Sequence, residues 1–238
     1  MSEAPANGSP VTVATSGDVA IITIDDGKAN ALSFALIEAV ESALADAATN
    51  AKAAVIIGRE GKFSAGFDLS VMTGGVDDAR RLLSAGARLG LTIFTSPIPV
   101  VLGVTGHALA MGGILTTTAD LRIGAAGPYK LGLNEVAIGM PVPAFAVELC
   151  RDRLNPAWFT RCVQHAYICS PDEAIVAGFL DEVVPLEEVH ERSVTVASEL
   201  GARVHAGPFR TTRRAVRGAL AQTLVEGLDA DMALFDVS

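Results

Sequence analysis

The chain has 238 residues, half of them hydrophobic, with a mean hydropathy of +0.41 and a formal net charge of −9. That size and apolar fraction suffice for a large buried core and exclude a disordered chain. The acidic balance and an aromatic content of 5% argue against a nucleic-acid partner. They leave no basic patch for a membrane surface, and no run approaches the length of a membrane span.

Residues 1–10 are polar, contain Pro and Gly, and read as a disordered N-terminus without a targeting segment. Residues 11–15 and 19–25 read as strands joined by the turn Ser16-Gly17-Asp18. After a loop to Asn30, Ser33 caps a helix in which Leu36, Ile37, Val40 and Leu44 recur at helical spacing. Residues 53–57 are continuously apolar, as expected of a strand covered on both faces. A polar loop, 58–62, leads to the glycine-bearing turn Phe63-Ser64-Ala65-Gly66-Phe67-Asp68-Leu69. Residues 77–95 form a helix, ended by Pro97 and Pro99 before a strand at 100–104. A second glycine-bearing turn, Gly106-His107-Ala108-Leu109-Ala110-Met111-Gly112-Gly113, opens a helix at 112–118, and a strand follows at 121–125.

From Pro143 the pattern is helical, over 145–153, 156–167, 171–177, 187–204 and 208–224. The class is therefore α/β, with repeated ββα or βαβ units in residues 11–195 and a C-terminal helical region in 196–238.

Two backbone amides converging from the glycine turns would form an oxyanion hole, and a carboxylate, Glu135, follows in the apolar stretch 133–141. Asp68 reads as a cap for the turn after it, and Glu148 as structural or a weak second acid. The nucleophile elbow Gly-x-Ser-x-Gly and the dinucleotide fingerprint are both absent. Cys150, Cys162 and Cys169 read as buried free thiols of a reducing cytoplasm. Cys162, His165 and Cys169 would share a helix face, a metal-site reading that lacks a fourth ligand. Residues 210–217, rich in arginine, read as a solvated helix face or as a landing place for a phosphorylated ligand.

The two turns, Ala119-Asp120-Leu121-Arg122, residues 131–141, Lys28-Ala29-Asn30-Ala31-Leu32 and Ser170-Pro171-Asp172-Glu173-Ala174 together resemble the crotonase, or enoyl-CoA hydratase/isomerase, family. The resemblance covers most of residues 11–200. It implies a spiral of ββα turns, a C-terminal helical region that assembles a homotrimer or a dimer of trimers, and an acyl-CoA substrate. No separate cofactor is implied, because coenzyme A is part of that substrate. It also implies that the amides of Phe67 and Met111 hold the thioester oxygen and that Glu135 is the catalytic carboxylate. Lys28, Ala29, Ala65, Gly66, Asp68, Leu69, Ser70, Gly112 and Ile114 then fall at substrate-contacting positions, and no metal is expected.

The family's hydratases carry two glutamates, and Ile114 stands in the place of the first. One carboxylate suffices for a 1,3-proton shift, so the resemblance points to double-bond isomerisation. Hydration in β-oxidation and non-catalytic acyl-CoA binding are the alternatives. The ending Phe235-Asp236-Val237-Ser238 lacks the basic pattern many members carry. The basic groups that would hold the CoA phosphates are therefore sought at Lys28, Lys62 and residues 210–217.

Overall fold

The computed structural model describes residues 9–234. An antiparallel hairpin, β1 (Val11–Ser16) and β2 (Val19–Ile24), opens the chain and pairs in register from Val11 opposite Ile24. The Pro10 carbonyl accepts from Asp25 N at 2.9 Å, so Pro10 extends this hairpin, while residues 1–8 of the expected disordered segment lie outside the described residues. The helix α1 (Phe34–Asn50) starts at Ser33, whose hydroxyl accepts from Leu36 N at 3.2 Å. A cap of this kind is worth about 1 kcal/mol.

The strands β3 (Ala53–Ile57), β5 (Val100–Val104), β7 (Leu121–Ala125) and β9 (Glu182–Val184) add to the hairpin in parallel. They complete a six-stranded sheet in the order β1-β2-β3-β5-β7-β9. Its central strands are covered on both faces, which is why their sequences are unbroken apolar runs. Alternate side chains serve different cores. Ile21, Val55, Val101 and Ile123 pack with Val189, Val196 and Ala197 of α8 (Val189–Arg203). Ile22, Ile56 and Leu102 join the larger core beneath α1 and α3 (Val76–Phe94).

A second sheet holds β4 (Gly61–Ser64), β6 (Gly106–Leu109) and β8 (Leu131–Gly132), parallel and in that order. Each follows a strand of the large sheet, and a helix follows each. These are α2 (Leu69–Met72) with α3, then α4 (Met111–Thr116), then α5 (Ala144–Arg153). This is the expected spiral of ββα units. The strands of the small sheet are two to four residues long. Such lengths carry too few side chains for alternation to show, and the sequence presented them as loop, turn and part of the apolar motif around Glu135.

The helical second half comprises α6 (Pro156–Val163), α7 (Pro171–Ala177), α8 and α9 (Ala206–Leu234). The boundary expected at 195/196 falls inside α8, so core and helical region are not divided there. The helix expected to reach Tyr167 ends at Val163, and Ala166 sits at φ +50°. Cys162 and Cys169 therefore do not share a helix face with the exposed His165, and the metal-site reading loses its geometry. All three cysteines are buried and free. Residues 235–238 lie outside the described ones.

The arginine run of α9 is only partly solvated. Arg213 Nη2 donates to both carboxylate oxygens of Asp120, at 2.5 and 2.6 Å, and its Nη1 donates to Ser96 O at 2.7 Å. Arg217 Nη1 donates to Phe94 O at 2.9 Å. These two side chains fasten α9 to the end of α3 and to the start of β5, whose Val100 N donates to Asp120 at 2.8 Å.

Removing one member of a buried pair leaves an uncompensated charge. Arg213→Met is therefore expected to lower unfolding free energy by about 3 kcal/mol, with Arg217 limiting the loss. Urea melts of Arg213→Met, Asp120→Asn and the double variant check it. The double variant should lose clearly less than the two single losses added together.

Candidate active site

The small parallel sheet delivers three segments to one place. In a parallel sheet all strands end on the same side, so the residues after β4, β6 and β8 become neighbours. These are Ala65 to Phe67, Ala110 with Met111, and Leu133 to Glu135. Gly66, at φ +97°, takes a backbone conformation that L side chains rarely adopt. A Cβ placed on it would lie 2.8 Å from Ala110 Cβ and 3.5 Å from Met111 N. Ala110 itself sits at φ +50°, ψ −125°. That strain costs on the order of 1–3 kcal/mol in a residue with a side chain. Ala110 N donates to Gly132 O at 3.0 Å, which holds the strained residue against β8.

This geometry frees two amides. Leu32 N donates to Gly66 O and Leu32 O accepts from Asp68 N, the two residues flanking Phe67. The Phe67 amide consequently faces away from Leu32 and has no hydrogen-bond acceptor among the described residues. Met111 opens α4, so its amide has no intrahelical acceptor either. Gly112 permits the approach: a Cβ there would collide with Ser64 O.

The side chains of Phe67 and Met111 are held by α3. A Cβ on Gly86 would strike the Phe67 ring, and the Met111 methyl lies 3.6 Å from that position and 3.7 Å from the equivalent one on Gly90. Met111 is fully buried and contributes only its backbone to the site.

Above the amides opens a cavity of about 500 Å3, within the range usual for small-molecule sites. Ala29, Ala65, Phe67, Leu69, Ile114 and Glu135, named as candidates from the sequence, line it. Met72, Leu83, Asn134 and Phe145 do so as well, and these the sequence did not single out. Only Asn134 had a signal, its place beside Glu135; the others arrive through α2, α3 and α5.

Glu135 is 7% exposed, and its Oε2 has no hydrogen-bond partner. Burial pushes its carboxyl above the usual carboxylate range, against a smaller opposing effect from the amides of Glu135 and Asn134. Asn134 Oδ1 is likewise buried and unpartnered. Two orphaned oxygens in an apolar cavity cost stability unless a ligand or water meets them. The Cys150 thiol is raised by burial, and further by the charge of Glu135, which keeps it an inert thiol.

The remaining expected residues do not line the cavity. Asp68 caps α2, accepting from Ser70 N at 2.8 Å and from Ser70 Oγ at 2.6 Å. Lys28 is exposed and close enough to lower the Asp68 carboxyl, after the stronger effect of the Ser70 bonds. Lys62 and Lys130 flank His107, whose pKa falls through burial and then through their charges. Glu148 belongs to the outer side of α5, paired with Arg151 at 3.3 Å, and is no second acid. Arg213 and Arg217 lie by the beginning of β5, bound to Asp120 and to the carbonyls of Ser96 and Phe94. Within this chain these two side chains make structural contacts, while Arg210 and Arg214 of the same stretch are exposed.

A family model for enoyl-CoA hydratase/isomerase matches residues 14–237. The human mitochondrial enoyl-CoA delta isomerase 1 is 31% identical over 180 residues, covering 74% of this chain and 59% of that relative. A probable enoyl-CoA hydratase of Bacillus subtilis is 36% identical over 140 residues, 57% of this chain and 54% of that protein. Among solved structures, an enoyl-CoA hydratase/isomerase family protein from Pseudomonas syringae superposes with a TM-score of 0.93 at 36% identity, covering 97% of this chain and all of that one. A Mycobacterium tuberculosis protein, described in one solved structure as an enoyl-CoA isomerase and in another as a probable enoyl-CoA hydratase, gives 0.90 at 34% identity in the former, covering 95% and 99%. The matched family model, the ββα spiral and the paired amides beside a buried glutamate agree, and the chain belongs to the enoyl-CoA hydratase/isomerase family.

Proposed function

We propose that this protein is an enoyl-CoA isomerase, shifting the double bond of a 3-enoyl-CoA thioester to the 2-position. The observation that carries the reading is a single buried, unpartnered carboxylate, Glu135, sharing an apolar cavity with two free backbone amides. The thioester oxygen accepts from Phe67 N and Met111 N. Glu135 takes a proton from C2, the freed electron pair forms the C1–C2 double bond of a dienolate, and the carbonyl pair moves onto the oxygen, which gains charge where the two donors wait. The same carboxyl, now protonated, returns the proton to C4, leaving the double bond between C2 and C3. No atom is gained or lost. Coenzyme A is part of the substrate, and no further cofactor enters the step.

Desolvation suits Glu135 to this task, because a carboxyl with a raised pKa is the stronger base when ionised. Exposed Lys28, which precedes cavity-lining Ala29, and Lys62 on β4 are the cations we assign to the CoA phosphates. A homotrimer, or a dimer of such trimers, in a reducing cytoplasm completes the reading; the three free cysteines accord with that compartment.

Hydration is the second reading, favoured by the Bacillus subtilis relative. Adding water across the double bond in the two-glutamate manner calls on a second carboxylate to orient that water. Ile114, buried in the cavity wall, offers none. A binding protein without turnover is the third, and multiple turnovers of 3-enoyl-CoA by the purified protein dismiss it.

Glu135→Gln keeps the shape and removes the base, and it should lower kcat by about a hundredfold to ten-thousandfold while acyl-CoA affinity stays within a few fold. Activity near wild type would place the chemistry on another residue.

The raised pKa of Glu135 makes two pH effects follow. Wild-type kcat should fall with acid at a pH above the ordinary glutamate value. A carboxyl whose pKa is raised on folding favours the folded state below its unfolded pKa, and that contribution is lost as pH rises through the folded value. Glu135→Gln should thus raise Tm at neutral pH and leave it unchanged in acid below the carboxylate range. Equal Tm for the two proteins at every pH would contradict the burial argument.

Ile114→Glu should raise hydration of 2-enoyl-CoA if the missing carboxylate limits that reaction. Burying a second carboxylate is costly, so the assay is read beside a melting curve. A folded variant with no gain would show that cavity shape decides the reaction.

A further inference from the structure

The cavity is bounded on one side by Pro141 and Pro143, and the same two prolines bound an outer hollow of about 350 Å3. Val147, Asp231 and Leu234 also line that hollow. Residues 141–143 therefore form a partition of a single chain thickness between the cavity and the hollow.

The partition is not held locally. Pro143 occupies the cap position of α5 and supplies no side-chain acceptor, so the first amides of that helix need one from elsewhere. Ala144 N and Phe145 N donate to Asp231 Oδ1 and Oδ2, each at 2.9 Å. Asp231 reaches them from the last turn of α9, where Met232 is buried and Ala233 O accepts from Arg80 Nη2 at 2.9 Å. A carboxylate on two amides at a helix start is a charge-assisted contact reinforced by the helix dipole. Phe145 and Pro143 both line the cavity, so releasing this cap moves its wall. Beyond the wall, Leu234 is 85% exposed and offers apolar surface that the described residues leave open.

We infer that Asp231 is a positioning residue that latches the partition shut and so sets the length of acyl chain the site accepts. Chains that fit the cavity bind with the latch closed. Longer saturated chains enter only when Ala144 and Phe145 leave Asp231, and their ends then run into the outer hollow over Val147 and Leu234. The inference rests on the acyl-CoA reading proposed above, but not on which reaction the site performs.

The test is calorimetry with octanoyl-CoA and palmitoyl-CoA, both saturated, on wild type, Asp231→Ala and Asp231→Asn, with a melting curve for each. Octanoyl-CoA affinity should be nearly unchanged. The affinity for palmitoyl-CoA relative to octanoyl-CoA should rise severalfold in Asp231→Ala, and less in Asp231→Asn, which keeps one oxygen acceptor. Unchanged ratios in the folded variants would overturn the inference, as would an unchanged Asp231→Asn if Asp231→Ala does not fold. Hydrogen exchange on the wild type adds a measurement free of folding defects. Octanoyl-CoA should leave the Ala144 and Phe145 amides protected, and bound palmitoyl-CoA should expose them; equal protection with both bound would overturn the latch. Failure of octanoyl-CoA to bind at all would instead remove the acyl-CoA reading itself, and the latch with it.

Discussion

The parallel pairing of β4, β6 and β8 is the constraint on which the rest of the site depends. It places three strand ends side by side, although the segments that follow them are some forty and twenty residues apart in the chain. The approach is closer than ordinary side chains allow. Gly106 stands against the backbone of Gly61, Gly112 against Ser64, and a Cβ on Gly113 would come within 2.7 Å of Gly132 O. Ala110 is the exception, a residue with a side chain held at positive φ. Its strain is compatible with a stable fold because Met111 and Ile114, the residues that follow on α4, are almost fully buried. The same packing that bears the strain aims the Met111 amide.

Two opposing electrostatic demands meet in the cavity. A base strong enough to take a proton beside a thioester benefits from an apolar surrounding, which the walls from α2, α3 and α5 supply. In the proposed reaction the charge then moves to the thioester oxygen, and there the surrounding must be polar. Backbone amides answer that demand without a charged side chain that would pull the pKa of Glu135 back down. Ile114 belongs to the same logic: a second carboxylate at that position would raise the first further and admit water. The site is consistent as a one-carboxylate device.

The helix α9 works in two directions. Its first half carries Arg213 and Arg217 onto Asp120 and the end of α3, fixing the beginnings of the parallel strands. Its last turn reaches the start of α5 at the opposite side of the cavity wall. One helix thereby couples the large sheet to the wall of the cavity, through charges that composition alone would have placed in solvent.

The sequence by itself determined the α/β class, the central strands and the capped helices, because these are encoded locally. Unbroken apolar runs, Ser33 before a 3.6-residue period, and Ser170 with Glu173 around Pro171 each act within a few residues. The motif around Glu135 and the two glycine turns were legible through their resemblance to a family. Only the tertiary structure decided what lies between elements. The residues of β4 and β6 present as loop and turn, and those of β8 only as part of the apolar motif around Glu135, because two to four residues cannot display a period; pairing with a distant neighbour makes them strands. Residues 210–217 show an arginine-rich stretch, and nothing local says that two of its members turn inward to an aspartate some ninety residues earlier. Cys162, His165 and Cys169 matched a helical spacing that ended at Val163. Asp231 offered no signal at all, since a helix cap supplied from the far end of the chain exists only once both helices are in place.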